Sequence, residues 1–145
     1  MKDPADILQK GYFSTLNGSI TQDGDAVGVY DHVPDGSVSY PYIRFVNCIT
    51  VDDGNKSDDG AICTMTISVV SKFANNFGGK LKVNQISDSV TQLIRTRPSG
   101  YIDLTSDGFT MLTSTLENAT INEYAVEGGR IVEKILTFKH IIAEN

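Results

Sequence analysis

At 145 residues the chain fits one domain and is long enough for a real core, with 40% hydrophobic and 21% charged residues in the ordinary globular range. A formal net charge of −6 argues against nucleic-acid binding as the main task, because neutralising phosphates needs a basic face. No run of eighteen apolar residues occurs and Met1 to Asp6 hold no apolar core, so neither a membrane span nor a signal peptide is expected.

The chain opens on a helix predicted over residues 3–17. Asp3 stands at the N-cap, and Pro4 sits where a missing N–H costs nothing. Leu8, Tyr12 and Leu16 recur every four residues, with Ile7 and Phe13 widening the stripe. Gly11 weakens the helix by roughly 1 kcal/mol against Ala, and Asn17-Gly18 stops it. Ser19 to Gly28 is polar and reads as a loop or a short edge strand. Val29 to Val33 is a short extended piece, closed by a turn at Pro34-Asp35-Gly36.

Tyr40-Pro41-Tyr42 then leads into the longest patterned stretch. Along residues 42–51, Ile43, Phe45, Ile49 and Val51 fall on one face, with Arg44, Val46, Cys48 and Thr50 on the other. Along 62–70, Cys63, Met65, Ile67 and Val69 alternate with Thr64, Thr66 and Ser68. Period-two patterning of this length predicts half-buried antiparallel strands. The Asp/Gly-rich segment 52–60 between them has turn residues and cannot bury itself. The expectation is one long hairpin whose tip leaves the body of the protein. Cys48 and Cys63 lie in its two strands; one pair makes no disulfide framework, and free thiols are expected.

A connection at residues 74–79 precedes a second helix, about Lys80 to Thr96, with Val83, Ile86, Val90, Leu93 and Ile94 on one face. Arg95 and Arg97 suit the negative end of its dipole, and Pro98-Ser99-Gly100 breaks it. Residues 101–108 are a loop or short strand. A strand runs from Phe109 to Glu123 with a bulge near Glu117-Asn118-Ala119, then a turn at Glu127-Gly128-Gly129 and a last strand from Ile131 to Ile142. The predicted class is α+β: an antiparallel sheet of about four main strands in two long hairpins, with two helices on one face. The whole chain, 1–145, is expected to be a single domain with an extended hairpin loop at 52–60.

Asp31 and His32 are adjacent, which is not how a catalytic triad is assembled, and no G-x-S-x-G occurs. His140 lies in the last strand. An EF-hand loop fails from Asp23, where Pro34 falls twelfth, and from Asp53, where Asp58 falls sixth and Thr64 twelfth. Gly78-Gly79-Lys80 lacks the rest of a phosphate-binding loop. Asp31 with Glu117 or Glu123 has nothing to bring it together as a carboxylate pair. The expectation is no catalytic residue, no metal and no cofactor: not an enzyme. Two long hairpins expose more strand edge than two helices can cover, and open edges favour pairing with a neighbour. That points to an assembly component.

Two fragments stand out by order and spacing: Tyr30-Asp31-His32-Val33-Pro34, and Tyr40-Pro41-Tyr42-Ile43 opening a strand. They are followed by a polar turn, the strand Thr64 to Ser71, a helix and two closing strands. Over nearly the whole chain this order resembles the tail-completion proteins of long-tailed bacteriophages, also called tail terminator or tail-to-head joining (neck) proteins. The resemblance implies a structural virion protein that forms a homo-oligomeric ring, a hexamer or a dodecamer, at the head-proximal end of the tail. It implies termination of the tail tube, joining to a neck or connector protein, and DNA passing through the lumen without specific binding. It implies location in the virion after assembly in the bacterial cytoplasm, with no membrane. A head-completion or adaptor ring of the same connector is the neighbouring reading; a small ligand-binding domain is the rival from another class. The residues expected at interfaces are Tyr30, Pro34, Tyr40, Pro41, Tyr42, Asp52, Asp53, Asp58 and Asp59.

Overall fold

The computed structural model describes residues 2–33, 38–54, 59–74, 78–95 and 102–145. Its elements run α1 (Ala5–Leu16), β1 (Thr21–Gln22), β2 (Asp25–Ala26), β3 (Gly28–Tyr30), β4 (Tyr42–Asp52), β5 (Gly60–Phe73), α2 (Leu81–Ile94), β6 (Phe109–Val126) and β7 (Gly129–Glu144). A 3₁₀ turn at Thr105–Asp107 replaces the loop or short strand expected before β6. The turns expected at Pro34-Asp35-Gly36 and Pro98-Ser99-Gly100 lie outside the described residues, as does the predicted helix end at Thr96.

The class is α+β, but the sheet differs from the expected four antiparallel strands. Among the described residues it has five strands in the order β3-β4-β5-β7-β6, with a separate two-stranded ladder of β1 and β2. It is mixed, because β3 lies parallel to β4, pairing Gly28 with Tyr42 and Tyr30 with Arg44. The short extended piece expected at Val29 to Val33 is the strand Gly28–Tyr30, and its parallel pairing into the main sheet is set by tertiary structure. The other neighbours are antiparallel.

Both helices cover one face of this sheet. From α1, Leu8, Tyr12 and Leu16 are buried, and from α2, Val83, Ile86, Val90 and Ile94. They meet Cys63, Met65, Ile67 and Val69 of β5 and Leu136, Phe138 and Ile142 of β7. Each such side chain contributes about 1.5–3 kcal/mol on burial. The start of α1 falls one residue later than predicted. Pro4 takes the N-cap position, and the Asp3 carboxylate accepts the Ala5 N–H at 3.0 Å. Gly11 has a packing reason: a Cβ there would stand 2.6 Å from Ile102 Cγ2.

The predicted hairpin exists, but it is not an arm. β5 is the central strand, paired along its full length with β7, from Gly60 with Ala143 to Phe73 with Arg130. Even the ends of the 52–60 loop are tied down, with Asp53 N–H donating to Gly60 O at 2.9 Å and Glu144 N–H to Asp59 O at 3.0 Å.

The face assignment along β4 is corrected by a bulge. The β4–β5 register shifts between Phe45 and Asn47. A single extra residue turns every later side chain to the opposite face. Ile43 and Phe45 point into the core, whereas Ile49 and Val51 point out and are each 55% exposed. Cys48, placed outside by simple alternation, turns inward and is half-buried. In β6 the expected bulge is present between Leu116 and Asn118, and a second lies between Met111 and Thr113.

Candidate assembly interface

The helices leave the opposite face of the sheet uncovered. The register places its rows across β4, β5, β7 and β6. One row is Val51, Ile62, Ile141 and Thr113; the next is Ile49, Thr64, Lys139 and Thr115; a third is Asn47, Thr66, Thr137 and Asn118. Its charges offset one another. Lys139 approaches Glu117 at 3.9 Å, and Arg44 approaches Glu133 at 3.9 Å. Exposed ion pairs of this kind contribute about 0–1 kcal/mol each. The consequence is a face of threonine, asparagine and aliphatic groups in a chain of net charge −6.

At one end of this face the tyrosines gather. Tyr30 and Tyr42 meet edge to face at 5.9 Å, and Tyr40 packs on Tyr42 at 5.3 Å, with the Tyr40–Pro41 peptide bond cis. The parallel pairing of β3 with β4 sets Tyr30 beside Arg44. A groove of about 340 Å³ opens here between His32, Tyr42, Arg44, Tyr124 and Glu133. Ser68 Oγ donates to Glu133 Oε2 at 2.7 Å inside it. Partial burial raises the Tyr42 hydroxyl pKa, with a smaller rise from Tyr40. Tyr124 is raised by burial and then by Glu133. Neutral tyrosines with an apolar body and a polar tip are frequent at protein–protein contacts.

The nine residues expected at interfaces do not form one surface. Tyr30, Tyr40, Pro41 and Tyr42 cluster at the start of β4, while Asp52, Asp53 and Asp59 lie at its far end. The eleven residues of β4 separate the two groups by roughly 30 Å at the usual strand rise. Pro34 and Asp58 lie outside the described residues. Sequence reasoning missed Val46, Ile49, Val51 and Leu112, all more than 40% exposed. It also missed Tyr124. The bulges that turn these aliphatic residues outward leave little trace in an apolar pattern; the polar Asn47 beside Val46 was the one available signal.

The titratable groups are engaged in structure. Tyr12 Oη and His140 Nε2 share a buried hydrogen bond. Phe138 stacks on the imidazole at 6.4 Å. Burial lowers the His140 pKa to about 4, against a weaker upward pull from the Thr113 backbone. His32 is exposed beside Asp31. Asp23, in the turn between β1 and β2, pairs with Lys82 at 3.2 Å. Cys48 and Cys63 are free and share a thiol–thiol hydrogen bond, which raises Cys48 and lowers Cys63. No group of three or more metal-ligating side chains occurs among the described residues. A second groove, about 400 Å³, lies between α1 and β4 beside Phe13, Gln9, Lys10 and Phe45. Among its described lining residues Phe13 and Phe45 are the apolar ones, and the others are polar or charged.

An α+β sheet with one helical face and one bare face, ending in a tyrosine cluster, defines the class at the level of fold. No protein-family model matches the chain, and no curated protein matches it. Among solved structures it is similar to a chain of the virion of a native gene transfer agent (GTA) particle, at 18% identity and a TM-score of 0.67, over 94% of each chain. At that identity the likeness concerns the fold.

Proposed function

We propose that this chain is a structural virion protein of a tailed, phage-like particle. It forms a ring at the head-proximal end of the tail, terminates the tail tube and joins it to the neck or connector. The observation that carries the reading is the fold likeness to a chain of a gene transfer agent virion, which spans 94% of both chains. The order of Tyr30 to Pro34 and Tyr40 to Ile43 along the chain supports it from the sequence side.

The mechanism is geometric. Copies of one domain, residues 1–145, associate head to tail through surfaces that differ on the two sides, and the rotation closes. The tyrosine cluster and the acidic ends of β4 and β5 sit at opposite ends of the sheet, so each can serve a different neighbour. One end meets the tube protein and the other meets the connector or neck. A net charge of −6 keeps the ring from holding DNA phosphates as the genome passes. The chain acts as no enzyme in this reading, and it works inside the virion after assembly in the host cytoplasm.

The test is electron microscopy of the purified protein mixed with the tail-tube protein of the same particle. Tubes of uniform length with a ring at one end are expected. Tubes that keep growing, with this protein unbound, would reject the reading.

A further inference from the structure

The sheet has two open edges, and they match each other. Among the described residues β3 covers only Tyr42–Arg44 of β4, and no other strand pairs with that edge from Val46 to Asp52; its one side-chain tie to the N-terminal segment is Thr50 Oγ1 donating to Asp3 Oδ1 at 2.9 Å on the helix side. β6 ends the sheet on the other side with no strand beyond it among the described residues. Exposed aliphatic side chains stand on both edges: Ile49 and Val51 at 55% exposure on one, Leu112 at 53% on the other. They lie at the same height. Val51 aligns across the sheet with Ile62, Ile141 and Thr113, and Leu112 sits in the bulge next to Thr113.

We infer that these two edges meet between neighbouring copies, with Ile49 and Val51 of one chain packed on Leu112 of the next. This rests on the ring reading above and specifies its self-contact. Three antiparallel pairings separate β4 from β6, so the two edge strands run in opposite directions. A head-to-tail neighbour therefore sets β6 antiparallel beside β4, which continues the sheet in its own hand. Matching heights mean that the row Val51, Ile62, Ile141, with Leu112 beside Thr113 at its end, continues into the next copy as a mainly aliphatic belt. A foreign partner would need only one of these edges. Two edges complementary to each other, at one level of one sheet, are what a heterologous self-contact requires.

Charge favours the same contact. On the edge strands the side chains flanking it on the bare face are Asn47, Thr113 and Thr115, all uncharged, and Lys139 one strand further in is offset by Glu117 at 3.9 Å. Copies of net charge −6 approach most easily where their charge is lowest. The bulges at Leu112 and Glu117 break the outer ladder of β6, as edge strands commonly do to prevent indiscriminate pairing. Side-chain packing therefore carries the contact, with any shared backbone ladder confined to residues 113–116.

The experiment is disulfide trapping with the double variant Val51→Cys, Leu112→Cys. Within one chain the two positions are separated by three strand spacings, about 14 Å, beyond the reach of a disulfide. Any new bond is intermolecular. Diamide oxidation should convert the double variant into a ladder of covalent multimers ending at the closed ring on a non-reducing gel, and dithiothreitol should collapse it. Each single variant and the unsubstituted chain, whose Cys48 and Cys63 face inward, should stay monomeric on the same gel. Circular dichroism checks that each variant is folded. Dimers from Val51→Cys alone would overturn the inference, because they report an isologous contact. So would a folded double variant that forms no multimers while the unsubstituted chain assembles, or an unsubstituted chain that stays monomeric at every concentration by light scattering. These outcomes leave the virion assignment standing. That assignment fails separately, if the chain is missing from purified particles.

Discussion

The buried Tyr12–His140 pair makes stability depend on acid in a calculable way. His140 has a folded pKa of about 4 against an ordinary value of 6.5. The unfolded chain therefore binds a proton at His140 below pH 6.5, whereas the folded chain resists doing so until about pH 4. Stability is full above pH 6.5 and falls as the pH drops towards 4. The interval of 2.5 pH units corresponds to a total of about 3 kcal/mol, of which about 2 kcal/mol is lost between pH 7 and pH 5. Urea unfolding followed by circular dichroism at pH 7, 6 and 5 measures it in a range where most carboxylates stay ionised. The control is the double variant Tyr12→Phe, His140→Leu, which removes both hydrogen-bonding partners together and leaves neither stranded. Its stability should be nearly flat from pH 7 to pH 5. An unsubstituted chain that loses under about 0.5 kcal/mol over this range would refute the reasoning. So would a double variant that keeps the original slope.

Three further outcomes follow from the packing. Gly11→Ala should destabilise by about 1–3 kcal/mol in thermal unfolding, because the clash with Ile102 outweighs the gain in helix propensity; a stabilised variant would mean that residues 102–104 do not pack on α1. Ile43→Ala should cost about 2–5 kcal/mol and Ile49→Ala less than about 0.5, since the bulge sends only Ile43 into the core; equal losses in urea unfolding would place the register elsewhere. Replacing residues 53–59 by Asn-Gly should leave a folded protein, because a short loop can close β4 on β5, but one that no longer caps tail tubes; normal capping under the electron microscope would remove this loop from the interface.

Much of the fold was legible because one face of each long element is buried. The α1 and α2 stripes, the alternation of β5 and β7, and the bulge near Glu117 all follow from that periodicity. What escaped was set by tertiary pairing. The extended piece at Val29 was read, but not that Gly28–Tyr30 joins the main sheet parallel to β4, a pairing that three residues cannot signal. The extra residue at Val46 reversed the faces of Ile49 and Val51, and both faces there carry apolar residues, so the sequence read equally well in either sense. Tyr30 and Tyr42 were singled out in two separate fragments, and their contact follows from the β3–β4 pairing. The acidic loop was not joined to it, because β4 holds the two apart. That both helices lie on one face was expected; which residues stand on the bare face was decided by the bulges in β4 and β6.

The position of this chain in a purified particle tests the account most directly. Cryo-electron microscopy of intact tailed particles that carry it should show a closed ring of this fold between the last tube ring and the connector. In that ring, β4 of each subunit should lie beside β6 of the next. Particles without this chain, or with it present as isolated copies away from the tail-to-head joint, would contradict the account.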